Sequence, residues 1–222
     1  LYKDISDTYN NPSVIENSVT YIAPKIQLKT ADIPLVMARA YGKNPLGIPQ
    51  LSTKDKTLLF SAFAPNITVD TKTDDDRIGR IAWSEKSEVP VVITKTPTVY
   101  QHLSYTRFNH QVLLQLNYIF WFPSRPKVSA TDYLGGNIDG LVWRVTLSAT
   151  GDPLAYDSMH NCGCYHLFFP TQQSCLKESK GVLEEPGFSY QSLTPAIDKP
   201  LTLELADTSH YLDRVIQRGQ VS

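Results

Sequence analysis

Along residues 112–122 every second position is apolar: Leu114, Leu116, Tyr118, Phe120 and Phe122. The positions between them are mixed, with Gln115 and Asn117 beside Leu113, Ile119 and Trp121. Side chains of a strand alternate between its faces, so this pattern predicts a strand with one face in the core and the other lining a groove or cleft. The same alternation predicts a hairpin over 141–147 and 154–160, with Leu141, Trp143, Val145 and Leu147 inward and Gly151, Asp152 and Pro153 in the turn. A last hairpin is predicted over 201–205 and 211–216, joined by Asp207, Thr208 and Ser209. Shorter strands are expected within 19–28 and in "VPVVITK" at 89–95. From Thr57 onwards, Leu58, Phe60, Ala62 and Ala64 also read as one face of a strand. The one helical segment expected is 31–41, where Pro34 must fall in the first turn. "DTKTDDDRIGR" reads as a polar, solvated loop, and 123–140 as a long connection.

Many short strands with proline-rich links predict a mostly-β fold, an antiparallel β-sandwich or open barrel. Residues 1–56 are expected to be an irregular N-terminal wrap on the mostly-β part, 57–222. There is no strand–helix–strand alternation and no glycine-rich phosphate loop, which argues against a dinucleotide-binding fold.

Composition narrows the picture further. A chain of 222 residues can bury a substantial core. The 21 basic and 22 acidic residues are interspersed, so nothing in the charge pattern favours nucleic acid as a partner. No apolar run approaches the ~18 residues of a transmembrane helix, which leaves peripheral contact as the form of membrane association to expect. The first residue is Leu1, which reads as a mature or trimmed chain.

The chemistry concentrates in "MHNCGCYHLFFP", where His160, Cys162, Cys164 and His166 fall at alternate positions. These are ligands for zinc or another transition metal. On a straight strand the outer two would lie ~20 Å apart, too far for one ion. Gly163 can bend the chain and gather some of them, with His102, His110, Asp139 or Asp157 completing the set. A disulfide is the second reading, between Cys162 and Cys164 or from either to Cys175. A cysteine nucleophile activated by a neighbouring histidine is the third. The plain alternative is a strand with cysteines buried as small apolar residues.

Elsewhere, Asp139 before Gly140 reads first as a turn residue. Arg144 is expected to pair with Asp157 on the facing strand.

Together, "QLNYIFWFPSRP", "DGLVWRVTL" and "YDSMHNCGCYHLFFP" resemble a block of an uncharacterised bacterial protein family, over roughly residues 57–170. The resemblance implies an exported, periplasmic or membrane-associated setting and carries no activity to transfer. In outline the aromatic strand, acidic turn and His-bearing strand are also similar to necrosis-inducing-type β-sandwiches with a metal-lined cleft. Their "HDWE"-like signature does not occur here. The functional expectation is metal binding through the His/Cys cluster, in the service of hydrolysis. Its alternatives are a thiol-disulfide or disulfide-stabilised exported domain, and a non-catalytic binding module built on the aromatic Tyr118–Phe122 region.

Overall fold

The computed structural model describes residues 17–24, 28–42, 44–85, 88–127, 129–172, 174, 188–189, 191–194 and 199–217. Cys175 lies outside them, and so does any bridge to it. The described residues form twelve strands: β1 Ser18–Tyr21, β2 Asn66–Asp70, β3 Arg80–Trp83, β4 Pro90–Ile93, β5 Val99–Phe108, β6 Gln111–Arg125, β7 Gly136–Leu147, β8 Pro153–His160, β9 Leu167–Pro170, β10 Phe188–Ser189, β11 Thr202–Leu205 and β12 Leu212–Ile216. They build a six-stranded sheet in the order β10-β9-β8-β7-β6-β5, a four-stranded sheet in the order β1-β2-β11-β12, and the hairpin β3-β4. Pairing is antiparallel except for β9 with β10 and β2 with β11. The fold is mostly β and sandwich-like, and the described residues form no closed barrel. Among the described residues no helix is long and apolar enough to cross a membrane.

The predicted alternation is realised in the large sheet. Leu114, Leu116, Tyr118, Phe120 and Phe122 of β6 pair with β7 so that Trp143 lies opposite Tyr118 and Leu141 opposite Phe120. All are buried, in one core with Ile67, Val69, Leu203, Leu205, Leu212 and Val215 of the small sheet. Burying a large side chain of this kind stabilises by about 1.5–3 kcal/mol, so these two faces supply most of the drive to fold.

The opposite face of the large sheet carries a polar row. Asn117 Nδ2 donates to Ser104 Oγ (2.9 Å), which donates to Gln115 Oε1 (3.0 Å), and Gln115 Nε2 donates to Thr146 Oγ1 (3.1 Å). Each buried polar group thereby keeps a partner.

Helix α1, Ile33–Tyr41, is the predicted one, with Pro34 in its first turn. It packs through Ile33 and Met37 against the β7–β8 turn at Gly151, whose φ is +90°. A Cβ at Gly151 would stand 2.3 Å from Ile33 Cγ2. Gly151→Ala is therefore expected to cost about 2 kcal/mol, through overpacking and a left-handed backbone that alanine resists, read as a lower urea midpoint.

The expected strand at Leu58, Phe60, Ala62 and Ala64 is corrected: Thr53–Ala62 is a helix, α2. Ser52 caps it, its Oγ accepting from Asp55 N at 3.1 Å and donating to Asp55 Oδ2 at 2.8 Å. This reciprocal cap at the start, and a buried Leu59–Phe60 pair that suits a helix, outweigh a short alternation.

The acidic loop is corrected as well. Residues Asp74–Asp76 form a 3-10 turn, and Asp76 is buried at 1% exposure. Its Oδ2 accepts from the backbone N of Lys72 and Thr73, both at 2.9 Å, closing a capping box with Thr73. Asp139 is no turn residue either. It lies in β7 opposite Phe122, at the end of the series Leu141, Trp143, Val145, Leu147.

Candidate active site

At the Phe122 end of the large sheet the inward face turns from apolar to ionisable. Strand parity places Asp139 of β7 and His160 of β8 on the same side as Phe122, Leu141 and Trp143. The small sheet closes over them with the turn before β12. Here Thr208 and His210 adopt positive φ, and the His210 ring stacks on Phe122 at 3.8 Å between centroids, nearly parallel to it.

Four side chains form a chain in which carboxyl and imidazole groups alternate. His210, with no exposure, donates through Nδ1 to Asp139 Oδ2 at 2.7 Å. Its Nε2 lies 3.4 Å from Asp76 Oδ1, without hydrogen-bond geometry. Asp76 Oδ1 also accepts from Thr208 N at 2.7 Å, which ties the acidic 3-10 turn to the β11–β12 turn. On the other side, Asp139 Oδ1 faces His160 Nδ1 at 3.4 Å. His160 is only 4% exposed, and its Nε2 has no hydrogen-bond partner.

Burial works against ionising Asp139, but the imidazoles of His160 and His210 outweigh it and hold the carboxyl below the ordinary carboxylate range. Asp76 behaves likewise, with burial opposed by His210 and three backbone N–H groups. For His210, burial lowers the pKa, yet the two carboxylates win and raise it. His210 is thus biased towards its imidazolium form between two carboxylates.

Beyond His160 the cluster becomes aromatic. The ring meets Tyr165 and Tyr211 edge-on, with centroids 5.4 and 5.1 Å away. Tyr165 is buried and its hydroxyl has no partner. Burial, then the phenol of Tyr211 beside it, pushes the Tyr165 pKa up, so this hydroxyl keeps its proton. Arg125, at the end of β6, lies 5.0 Å over the Tyr211 ring and donates to the Tyr211 hydroxyl at 3.2 Å. Tyr211, Arg125 and Asn161 are half-buried, so this end of the cluster meets solvent while His210 and Asp76 do not.

The predicted bend at Gly163 is present, with φ +88°. His160 N donates to Cys164 O at 3.0 Å and Gly163 N to His160 O at 2.8 Å, so residues 160–166 form a tight turn between β8 and β9. The bend does not gather the four predicted ligands. His160 points inward to Asp139, whereas His166 Nε2 bonds Asp157 Oδ1 at 3.0 Å, and Asp157 lies on the outer face. Cys162 is a free, exposed thiol, and Cys164 is half-buried against the core. Among the described residues no three His, Cys, Asp or Glu side chains converge as ligands for one ion.

The expected Arg144–Asp157 pair is present: Nε donates to Oδ2 at 2.9 Å and Nη2 to Oδ1 at 2.7 Å. His102 is exposed on β5, opposite Asn117. His110 sits with Asn109 in the positive-φ turn between β5 and β6, about 40 Å along β6 from Phe122. Neither histidine reaches the cluster.

Sequence reasoning missed Asp76, His210, Tyr165, Tyr211 and Arg125. One signal pointed to the existence of such partners. Asp139 and His160 each continue an inward series by two residues, and an ionisable residue there must find a partner. His210 had no such pattern, because it sits in a turn. Comparison of the chain with family models, with curated proteins and with solved structures gives no match.

Proposed function

We propose that His160 is the general acid–base group of a hydrolytic centre at the base of the β8–β9 turn. The observation that carries this is the pair of its ring nitrogens. Nδ1 is oriented towards Asp139, and Nε2 is buried without a partner. A buried donor or acceptor left unpaired costs about 1–3 kcal/mol, a cost that functional sites are known to carry. An Asp–His pair with the far nitrogen presented is the arrangement that takes a proton from an attacking hydroxyl and returns it to a leaving group.

In hydrolysis, His160 Nε2 would accept a proton from water as the water oxygen bonds to the acyl or phosphoryl centre. The imidazolium, stabilised by Asp139, would then protonate the departing oxygen. The protonated Tyr165 hydroxyl can donate to an oxyanion, and Arg125 supplies fixed positive charge beside Tyr211. Substrates with an anionic group suit this setting.

The test is an assay of the purified chain on chromogenic carboxylic esters, phosphomonoesters and phosphodiesters. His160→Gln is expected to lower turnover by about 10²-fold or more with the melting temperature unchanged, and Asp139→Asn to lower it as well. No turnover of any of the three classes, or turnover that His160→Gln retains, would sink the reading.

A second reading is a zinc or other transition-metal site at the same turn. The supporting observation is His160 Nε2, a ligand atom without a partner, in the turn that also carries Cys162 and Cys164. It predicts metal in the untagged protein that His160→Ala or Cys164→Ala removes. A metal-free preparation with full activity would exclude it.

A further inference from the structure

The two main sheets are open along one side. β1, the edge of the small sheet, pairs with β2, and β5, the edge of the large sheet, pairs with β6. Between these edges lies a cavity of about 640 Å³, within the ~300–1,000 Å³ range of small-molecule sites. Its floor is core: Ile67, Ile78 and Tyr118 line it, and each is 1% exposed. Its rim is also apolar, with Ile22 73% exposed and Val99 37% exposed. Apolar side chains therefore occur both at its buried floor and at its exposed rim.

Among the described residues the lining contains no Asp, Glu, Lys, Arg or His. Its polar groups are largely engaged already. The Tyr118 hydroxyl donates to Phe60 O at 2.8 Å, Ser61 Oγ to Pro24 O at 3.0 Å and Thr57 Oγ1 to Thr53 O at 3.1 Å. Thr20 Oγ1 pairs with Thr68 Oγ1 at 3.0 Å. A charged guest would lose its hydration here without compensation, and a guest that depends on many hydrogen bonds would find few groups to meet it. Flexible aliphatic matter suits a lining built mainly of Ile, Val, Ala and Pro side chains.

We infer that the opening between β1 and β5 is a binding site for an uncharged apolar ligand with a single acyl chain. The ligand enters between the sheet edges, its chain reaches Ile67, Ile78 and Tyr118, and a neutral polar end remains at the mouth near Gln101. This site is separate from the His160 cluster and stands whether or not that cluster is catalytic.

The test uses the full chain and the uncharged methyl ester of cis-parinaric acid, whose fluorescence rises when its chain enters an apolar site. Saturable one-to-one uptake is expected, with displacement by 1-dodecanol. Val99→Trp on β5 and Thr57→Trp on the exposed side of α2 each narrow the mouth. Each is expected to weaken uptake at least tenfold at an unchanged melting temperature. Absence of saturable uptake overturns the inference, as does uptake that 1-dodecanol fails to displace or that both tryptophan substitutions leave intact. A dimer that Ile22→Ser dissociates, without uptake of the probe, overturns it too by assigning the opening to a second copy of the chain.

Discussion

Replacing His210 with alanine is expected to destabilise the protein by about 3–5 kcal/mol, the range for removing one partner of a buried ion pair. The effect comes less from the packing of the missing ring than from the charge left behind. Asp76 and Asp139 would remain in a site that His210 fills with no exposure, and neither would keep its imidazolium. Asp139→Asn in the His210→Ala background is therefore expected to restore part of the loss, because an amide needs no counter-charge. Urea denaturation of the two single variants and the double variant measures this coupling directly. Equal losses for the double variant and the sum of the singles would show that the groups act independently.

The same cluster sets a pH dependence with a definite sign. Asp76 and Asp139 ionise below their ordinary value of 3.8, so the stability they contribute is present above that pH. It is lost as pH falls through their lowered folded values. His210 is raised above its ordinary 6.5, so its contribution is fully present below pH 6.5 and is lost as pH rises through the raised value. The cluster therefore stabilises most between about pH 4 and 6.5. The alkaline decline that it causes should disappear in His210→Ala, which denaturation midpoints at pH 6 and pH 9 will show.

Trp143→Ala is expected to have a comparable effect, about 3–5 kcal/mol, by opening a large cavity in the middle of the core. Trp143 is fully buried and packs against Tyr156 at 5.6 Å and Phe169 at 5.5 Å between ring centroids. Its indole N–H has no hydrogen-bond partner. Trp143→Phe should consequently cost far less, because it removes an unpaired donor along with part of the ring. A Phe variant as unstable as the Ala variant would mean that the indole N–H is partnered after all.

The strands of the large sheet could be read from single stretches because burial on one face imposes period two locally. Leu114 to Phe122 and Leu141 to Leu147 needed no partner to be recognised. Helix α2 was hidden because Leu58, Phe60 and Ala62 satisfy a strand pattern over so few residues that the Ser52–Asp55 cap and the adjacent buried Leu59–Phe60 pair are needed to decide against it. The turn at Gly163 was legible from one glycine, since the chain between two strands must reverse somewhere. Where His160 and His166 point once it has reversed was not, because each finds its partner on a different strand and a different face.

Alternation, turn residues and the Arg144–Asp157 spacing were by themselves enough to determine a mostly-β chain, the inner face of its large sheet and the segment where ionisable and thiol groups gather. Tertiary structure alone decided the site. Asp76, Asp139, His160 and His210 come from four separate stretches, and only the closure of the small sheet over the large one brings them together. The physical reason is range. Backbone periodicity acts over two to four residues, whereas a buried charge must be paired by whatever the fold brings within a few ångströms.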